Sequence, residues 1–450
     1  MLNQLGVSLN SRHLIDAFLN VSMGIEIERM RTDYDGKMSM TPHPTGAGSP
    51  FKNPWITKDY LESMTEVVTP IDDVSHTLKY DYELTNVLRQ ALRKDELLWP
   101  LSMPAELPKH KDKSLLAVEP PEKQRYFESI CERYGITRGA PCGVHINLSV
   151  SEAGLNELLK TSDSAFTDIK TLRNHAYSMI ARGFIKYRWL LTYLFGASPV
   201  AQANYFDQGK GPNNPIRSIR QSHFGFITSF DVDYSDVNRY ADRILEALKN
   251  GEIAGTAEFH GSVRFRGNNN LELLKQNGAR YLELRMFDLD PRVDVAVQNT
   301  TLQLVSLLVN YFLFSDVEPF ADDAVAELRT ADAMNERVAL ERPDQVCEYQ
   351  DQARQLIHRL RDFVNYLALG PEYIELLNLI NQAIDDPNLT INGFLNHKIK
   401  NGTLLDYGLS QANQFQQDAL MNPHHFNGFK KNEGHLSAEE LKRELNAFKW

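Results

Sequence analysis

The octapeptide MGIEIERM, residues 23–30, carries the clearest structural signal in this chain. Apolar and acidic residues alternate along it, so that Ile25 and Ile27 face one way while Glu26 and Glu28 face the other. A period of two is the pattern of a β-strand with one buried face. Both carboxylates project from the same side, where like charges repel unless a cation lies between them. The octapeptide therefore predicts a strand that carries a charged site.

Two later segments show the same alternation. VHINLS places His145 and Asn147 on one face, and YLELRM, residues 281–286, places Glu283 and Arg285 on one face. Each segment alone is typical of the solvated face of an antiparallel sheet. Three polar faces that combine Glu, His and Arg favour a shared cavity instead. Mg²⁺ is the natural cation for a carboxylate-rich site that also holds phosphate.

Helical periodicity dominates the rest of the chain, most of all its last third. Residues 57–69 fit a helix and a strand equally well, while 96–120 and 196–218 have the composition of loops. Strands separated by long connections and followed by helices predict an α+β fold rather than a βαβ repeat. Without a clean linker, we expect a single catalytic domain over residues 1–450, with 293–450 mostly helical. The predicted helices cover residues 9–20, 75–94, 121–133, 165–195, 235–249, 293–314, 321–340, 345–367, 371–384 and 436–448.

The composition limits the partners and the location. A net charge of −11 and a pI of about 5.7 argue against nucleic acid or an anionic membrane as the main partner. Three cysteines without a C-x-x-C pair do not form the pattern of a disulfide framework or a thiolate zinc site. The start of the chain does not resemble a signal peptide, and the apolar residues 302–314 are too few to span a bilayer. We therefore expect a cytoplasmic protein without a membrane partner.

Common motifs of other enzyme classes are absent from the sequence. It contains no G-x-x-x-x-G-K-[ST], G-x-G-x-x-G, H-E-x-x-H or G-x-S-x-G. These absences argue against P-loop and Rossmann nucleotide sites, zinc proteases and α/β-hydrolases.

Six segments, in order along the chain, resemble the bacterial glutamate–cysteine ligases. They are GIEIER with TPHP (24–29 and 41–44), ITKDYLE with Glu66 and TP (56–62 and 69–70), GVHINLS (143–149), YLFGASP (193–199), SIR with Gly225 (218–220), and YLELR with Asp288 (281–285). The matches extend from residue 20 to about residue 290, whereas the C-terminal helices carry no matching motif. The resemblance implies a fold similar to glutamine synthetase, in which a curved, mostly antiparallel sheet forms a funnel wrapped by helices.

By position, the resemblance implies that five acidic residues and a histidine surround the metal and the phosphate. It also implies that two arginines bind the substrate. The shell is Glu26, Glu28, Asp59, Glu66, His145 and Glu283, and the arginines that bind phosphate or the glutamate carboxylate are Arg220 and Arg285. It implies Mg²⁺, with Mn²⁺ as the alternative, and ATP and L-glutamate as substrates. The γ-carboxylate attacks the γ-phosphate of ATP, and an amine then displaces phosphate from the acyl phosphate. The residues alone leave other interpretations open, with Asp59 as a helix cap, Glu66 as an exposed helical charge and Arg285 as a structural ion pair.

The acceptor pocket that the resemblance implies departs from the family pattern. The pocket consists of Tyr60, Tyr126, Phe127, Phe226 and His260. Phe127 stands where the pattern has arginine, and Phe226 and His260 stand where it has tyrosine. The loss of an arginine and of a phenol removes hydrogen bonds to the acceptor's carboxylate. The acceptor is therefore either cysteine, with His260 or Arg264 restoring the contact, or another amino acid or a simple amine.

Two other functions stay open at this point. A guanidino kinase, which belongs to the same fold family, transfers phosphate to nitrogen and stops there, while a binding protein would have kept the sheet and lost turnover. The acidic pair Glu26 and Glu28 favours the metal shell of a ligase. No segment matches an ATP-grasp domain, so we expect no fused second ligase step. The oligomeric state is not predicted.

Overall fold

The computed structural model describes residues 2–9, 11–161, 166–202, 204–226, 230–267, 270–316, 322–423 and 437–446. Its strands are β1 (Ser22–Thr32), β2 (Ile56–Lys58), β3 (Met64–Val68), β4 (Leu97–Leu98), β5 (Val144–Ser149), β6 (Val263–Arg266) and β7 (Tyr281–Phe287). They form one antiparallel sheet in the order β2-β3-β1-β5-β7-β6, and β4 pairs with the end of β1.

Helices precede, connect and follow these strands. They are α1 (Gln4–Val7), α2 (Arg12–Leu19), α3 (Val74–Ala91), α4 (Pro121–Tyr134), α5 (Glu152–Thr161), α6 (Ile169–Lys186), α7 (Arg188–Phe195), α8 (Val237–Lys249), α9 (Leu271–Asn277), α10 (Asn299–Phe314), α11 (Ala324–Leu340), α12 (Gln350–Tyr366), α13 (Pro371–Asp385), α14 (Ile391–Asn396), α15 (Leu405–Met421) and α16 (Ala438–Asn446). This arrangement confirms the α+β prediction.

The register of the sheet puts the polar residues on one face. Glu26 lies opposite His145, Glu28 lies opposite Glu66, and Glu283 lies opposite Asn147 on the neighbouring strand. Directly opposed residues in an antiparallel sheet project to the same side. The intervening residues project to the other side, where they are fully buried, as Ile25, Ile27, Ile146, Leu148, Leu282 and Leu284 are.

Helices α3, α6 and α7 pack against the strands, and α10 packs against α3 and α6. The apolar stretch noted at residues 302–314 belongs to α10, which is buried along nearly its whole length. None of the described helices has the length and hydrophobicity that a bilayer-spanning segment requires.

Several local predictions differ from the structure. The helix predicted over 165–195 consists of α6 and α7, because the backbone leaves helical geometry at Tyr187, with φ −103° and ψ 13°. The helix predicted from residue 293 begins at Asn299, because the side chains of Arg292 and Gln298 donate to Asp290 and hold the preceding residues in a turn.

For other elements, the sequence left the type of secondary structure undecided or gave no prediction. Residues 57–69 contain strand residues of β2 and β3, while α5, α14, α15 and β6 were not predicted. Positions 10, 165, 203, 321, 436, 447 and 448 of the predicted segments lie outside the described residues.

Candidate active site

A cavity of about 850 Å³ opens on the polar face of the sheet. Its other walls come from α4, α11 and the segment 257–262. The lining includes all residues that the sequence suggested, namely Glu26, Glu28, Asp59, Tyr60, Glu66, Tyr126, Phe127, His145, Arg220, Phe226, His260, Glu283 and Arg285. The fold thus brings residues from position 26 to position 285 into one place.

His145 lies at the centre of the carboxylates. Its Nδ1 is 3.3 Å from Glu26 Oε2 and 3.9 Å from Glu283 Oε1, and its Nε2 is 3.6 Å from Glu28 Oε1. Asn147 Nδ2 donates to Glu26 Oε1 at 2.8 Å. One imidazole is therefore close to three carboxylates, which come from β1 and β7.

Two groups of side chains around His145 have the spacing that a metal ion requires. Glu26, His145 and Glu283 each offer a ligand atom within 4.8 Å of the others, and so do Glu28, Glu66 and His145. His145 Nε2 is buried and has no hydrogen-bond partner among the described residues. Donor sets rich in carboxylate oxygen suit Mg²⁺ and Mn²⁺. The residues present fit a divalent cation.

The carboxylates at the β1–β3 side of the cavity destabilise one another in their charged forms. Burial, and after it the charge of Glu28, raises the pKa of Asp59 to about 7. Burial, and after it the charge of Glu26, raises the pKa of Glu66 well above its usual range. A cation between such groups removes the repulsion.

The structure decides between the interpretations left open for two of these residues. Asp59 directly follows β2, and Glu66 lies within β3. No helix begins after Asp59, since the next element is β3, so Asp59 is not a helix cap, and Glu66 as a strand residue is not a helical surface charge.

Glu283, unlike Asp59 and Glu66, is surrounded by positively charged side chains that stabilise its ionised form. Arg285 donates to Glu283 Oε1, and Arg266 Nε is 2.7 Å from Oε2. Burial raises the pKa of Glu283, but the charges of Arg285, Arg264 and Arg266 outweigh it and hold the pKa below its usual range. Arg285 Nη1 also donates to His145 Nδ1 at 3.3 Å. Arg285 therefore does form an ion pair, and that ion pair lies within the cavity.

Arg220 lines the cavity while much of its guanidinium binds the backbone. Nη1 donates to the Phe287 carbonyl and Nη2 to the Arg285 carbonyl, both at 3.1 Å. Nη1 is also 3.5 Å from Asp288 Oδ1. Gly143 leaves the space that the guanidinium occupies, because a Cβ at that position would overlap it. Arg220 thus connects the loop after α7 to the end of β7.

Aromatic rings form the side of the cavity that the predicted acceptor pocket occupies. The ring of Phe127 is 5.3 Å from that of Tyr60 and 5.9 Å from that of Tyr126, and the rings of Phe226 and His260 are 4.1 Å apart. Burial lowers the pKa of His260 well below its usual range. The imidazole is therefore neutral at neutral pH, and this aromatic wall is largely apolar.

Two further arginines line the cavity, of which the sequence had suggested only Arg264, as a residue that restores the acceptor contact. Arg264 and Arg266 belong to β6, whose residues VRFR alternate as the three predicted strands do. That alternation was the available signal, but four residues are too few to separate a strand from chance. Farther along the cavity, Arg188 of α7 pairs with Asp332 of α11 at 2.8 Å.

Comparison with curated proteins gives consistent matches over most of the chain. The glutathione biosynthesis bifunctional protein of Streptococcus thermophilus is 32% identical over 414 residues, which cover 91% of this chain and 53% of that protein. The protein of the same name from Enterococcus faecalis is 30% identical over 423 residues, covering 92% of this chain and 55% of that protein. The chain spans about half the length of the curated relatives it matches.

Comparison with solved structures agrees. A bifunctional glutathione synthetase from Pasteurella multocida superposes with a TM-score of 0.84 at 25% identity, covering 92% of this chain and 55% of that chain. A glutamate–cysteine ligase from Francisella tularensis in complex with AMP has the same fold, with a TM-score of 0.79 at 18% identity over 95% of this chain and 93% of that one. The family model of glutamate–cysteine ligase matches residues 7–252 and 225–334. The chain therefore belongs to the glutamate–cysteine ligase family.

Proposed function

We propose that this chain is an ATP- and Mg²⁺-dependent γ-glutamyl ligase. In the first step, an oxygen of the γ-carboxylate of L-glutamate attacks the γ-phosphorus of ATP, so that γ-glutamyl phosphate forms and ADP leaves. In the second step, the nitrogen of an amine attacks the acyl carbon, loses a proton and displaces phosphate, which leaves an amide. The observation that carries the proposal is the convergence of Glu26, Glu28, Glu66 and Glu283 on His145 in one cavity.

The side chains of the cavity match the charges of the reactants. Mg²⁺, or Mn²⁺ in its place, would be held by Glu26, Glu28, Glu66, His145 and Glu283, with Asp59 beside them. The cation would neutralise part of the negative charge and so reduce the repulsion between a carboxylate and a triphosphate. Guanidinium groups bind carboxylate or phosphate oxygens through paired hydrogen bonds. We assign Arg285 and Arg220 to the transferred phosphate or to the glutamate carboxylate.

The amine acceptor is either cysteine or a different amino acid or amine. Cysteine is the acceptor that the family name gives. Phe127 and Phe226 place apolar rings in the cavity where the family pattern has an arginine and a tyrosine, and this favours a different amino acid or amine. We propose both as candidates for the assay below.

We also propose that residues 1–450 act as one catalytic domain and that the sheet forms the funnel of a glutamine-synthetase-like fold. A hydrophobic core that includes residues from Leu5 to Leu404 supports the first, and a cavity on the polar face of the sheet supports the second. A cytoplasmic location is supported by Cys131, Cys142 and Cys347, which form no disulfide. The acidic net charge favours small molecules over nucleic acid or membrane as partners.

The test is an assay with purified protein, ATP, Mg²⁺, L-glutamate and a panel of amines and amino acids. We expect ADP and free phosphate in equal amounts, together with a γ-glutamyl amide, only when glutamate and an acceptor are both present. A phosphorylated acceptor without free phosphate would instead identify a guanidino kinase. ATP binding without turnover would identify a binding protein. Clear preference for cysteine over every other acceptor would exclude the altered acceptor.

A further inference from the structure

Three arginines and one carboxylate form the wall of the cavity contributed by β6 and β7. The register places Arg264 opposite Glu283, with Arg266 and Arg285 on the same face. Arg266 and Arg285 both pair with Glu283. This wall therefore carries more positive than negative charge, and an anionic ligand would balance it.

Arg264 forms no ion pair with a carboxylate among the residues that the structure describes. Its Nη2 donates to the carbonyl oxygens of Ala257, at 2.8 Å, and of Phe259. Its Nε is buried and has no hydrogen-bond partner within the described part of the chain, and the residue is 8% exposed. A buried donor without an acceptor is unfavourable, and a ligand oxygen would relieve this.

The position of Arg264 is between the carboxylates around His145 and the aromatic wall. Its charge helps to hold the pKa of Glu283 down on one side. On the other side, burial raises the pKa of Tyr126 and the charge of Arg264 opposes this rise. Burial lowers the pKa of Arg264 itself to about 10, so the guanidinium is still charged at neutral pH. Arg264 therefore places a positive charge next to the aromatic wall, where the acceptor pocket is proposed.

We propose that Arg264 binds the carboxylate of the acceptor, which makes the acceptor an α-amino acid rather than a simple amine. The inference rests on the proposed ligase function and specifies its second substrate. A guanidinium suits a carboxylate because its positive charge strengthens a hydrogen bond that its Nε would donate to a carboxylate oxygen. Arg264 would then replace the contacts that Phe127 and Phe226 cannot make, while their rings contact the acceptor's side chain.

Matched acceptors that differ only in the carboxylate test this role. The pairs are cysteine with cysteamine, and 2-aminobutyrate with propylamine. In the wild type we expect the amino acid of each pair to have the higher kcat/KM, by about 10- to 100-fold, the effect of one charged hydrogen bond. Arg264→Met should remove most of this preference, chiefly through a higher KM for the amino acid, so that the ratio of kcat/KM within each pair approaches one. Arg264→Lys should keep part of the preference, because the lysine ammonium retains the positive charge but lacks the N–H donors of the guanidinium.

Hydroxylamine separates the failure of this inference from the failure of the proposed function. It carries no carboxylate and captures γ-glutamyl phosphate as a hydroxamate. If the wild type forms no hydroxamate from glutamate and ATP, the proposed ligase function is wrong, and so is the role proposed for Arg264. If hydroxamate forms but cysteamine is used as well as cysteine, only the role of Arg264 is wrong. Arg239→Met is the matched control, because Arg239 is an exposed arginine on α8 that does not line the cavity.

The α-carboxylate of the donor, glutamate, is the second carboxylate that Arg264 would fit. 4-Aminobutyrate keeps a carboxylate that can react and lacks the α-carboxylate. In the hydroxylamine assay, Arg264→Met should leave the preference for glutamate over 4-aminobutyrate unchanged. Loss of that preference would assign Arg264 to the donor and overturn the inference. An equal loss with every acceptor would overturn it as well, since Arg264 would then only hold the backbone at Ala257 and Phe259.

Discussion

At the scale of residues, the cavity contains side chains that oppose folding. Burial, and after it the charges of Glu26, Asp59 and Glu28, raises the pKa of Glu66. The folded chain therefore disfavours the ionised form that prevails at neutral pH in the unfolded chain. Residues that lower the stability of the fold in this way are expected at functional sites. The carboxylates are therefore better explained by a bound cation than by stability.

Replacement of Glu66 by glutamine should separate stability from activity. Glu66→Gln keeps the shape of the side chain and removes its charge, so the free energy of unfolding without Mg²⁺ should increase by about 1 kcal/mol. Ligase activity should fall by about 100-fold or more, because a candidate cation ligand is lost. Urea unfolding in EDTA and the hydroxamate assay measure the two effects. Glu375→Gln, at an exposed position of α13, should change neither. Lower stability of Glu66→Gln without Mg²⁺ would contradict this account of the repulsion.

At the scale of elements, local sequence predicted the strands whose two faces differ over six or more residues. The segments that contain Glu26, His145 and Glu283 meet this condition, and the structure confirms them as β1, β5 and β7. The segment around Arg264 is a strand because it pairs with β7. β2 and β3 are strands because they pair with each other and because β3 also pairs with β1. Such long-range pairing is not contained in any local period.

The residues that line the cavity were predictable from the sequence, whereas their contacts were less so. Motif resemblance named the carboxylates and His145, and the register explains why they meet. The backbone bonds of Arg220 and the buried, unpaired Nε of Arg264 depend on burial and on distant carbonyl groups. Those features required the three-dimensional structure.

The loop between α7 and Arg220 has an anchor of its own. Arg217 is fully buried, its Nε is 2.7 Å from Glu341 Oε2, and its Nη1 donates to Asn392 Oδ1 at 3.1 Å. The guanidinium also lies 4.3 Å from the centre of the Tyr193 ring. The loop that carries Arg220 is thereby fastened to the C-terminal helices.

Arg217→Met should destabilise the protein strongly. It leaves the carboxylate of Glu341 buried without its cation, which costs about 3–5 kcal/mol when one partner of a buried pair is removed. Urea unfolding measures the loss. Arg342→Met is the matched control, because Arg342 is 68% exposed and pairs with Asp344 at the surface. A loss for Arg217→Met no larger than that of the control would show that the buried pair does not anchor the loop.

At the scale of the whole molecule, the candidate cation ligands connect segments that are distant in the chain. Glu28 and Glu66 are on adjacent strands, but His145 and Glu283 join them only when β5 has paired with β1 and β7 has paired with β5. The unfolded chain therefore lacks the site. A cation that binds only the folded state stabilises it by mass action.

Mg²⁺ should therefore raise the free energy of unfolding in the absence of nucleotide. At a concentration of about 100 times its Kd, the gain should be about 2.7 kcal/mol. A thermal unfolding series over a range of MgCl₂ concentrations, with NaCl at equal ionic strength as the control, measures it. Glu66→Gln should begin from a higher stability and gain less, because the repulsion that Mg²⁺ relieves is already smaller and one candidate ligand is absent. Equal stabilisation by NaCl would indicate charge screening alone and would remove the physical basis for a cation site at His145.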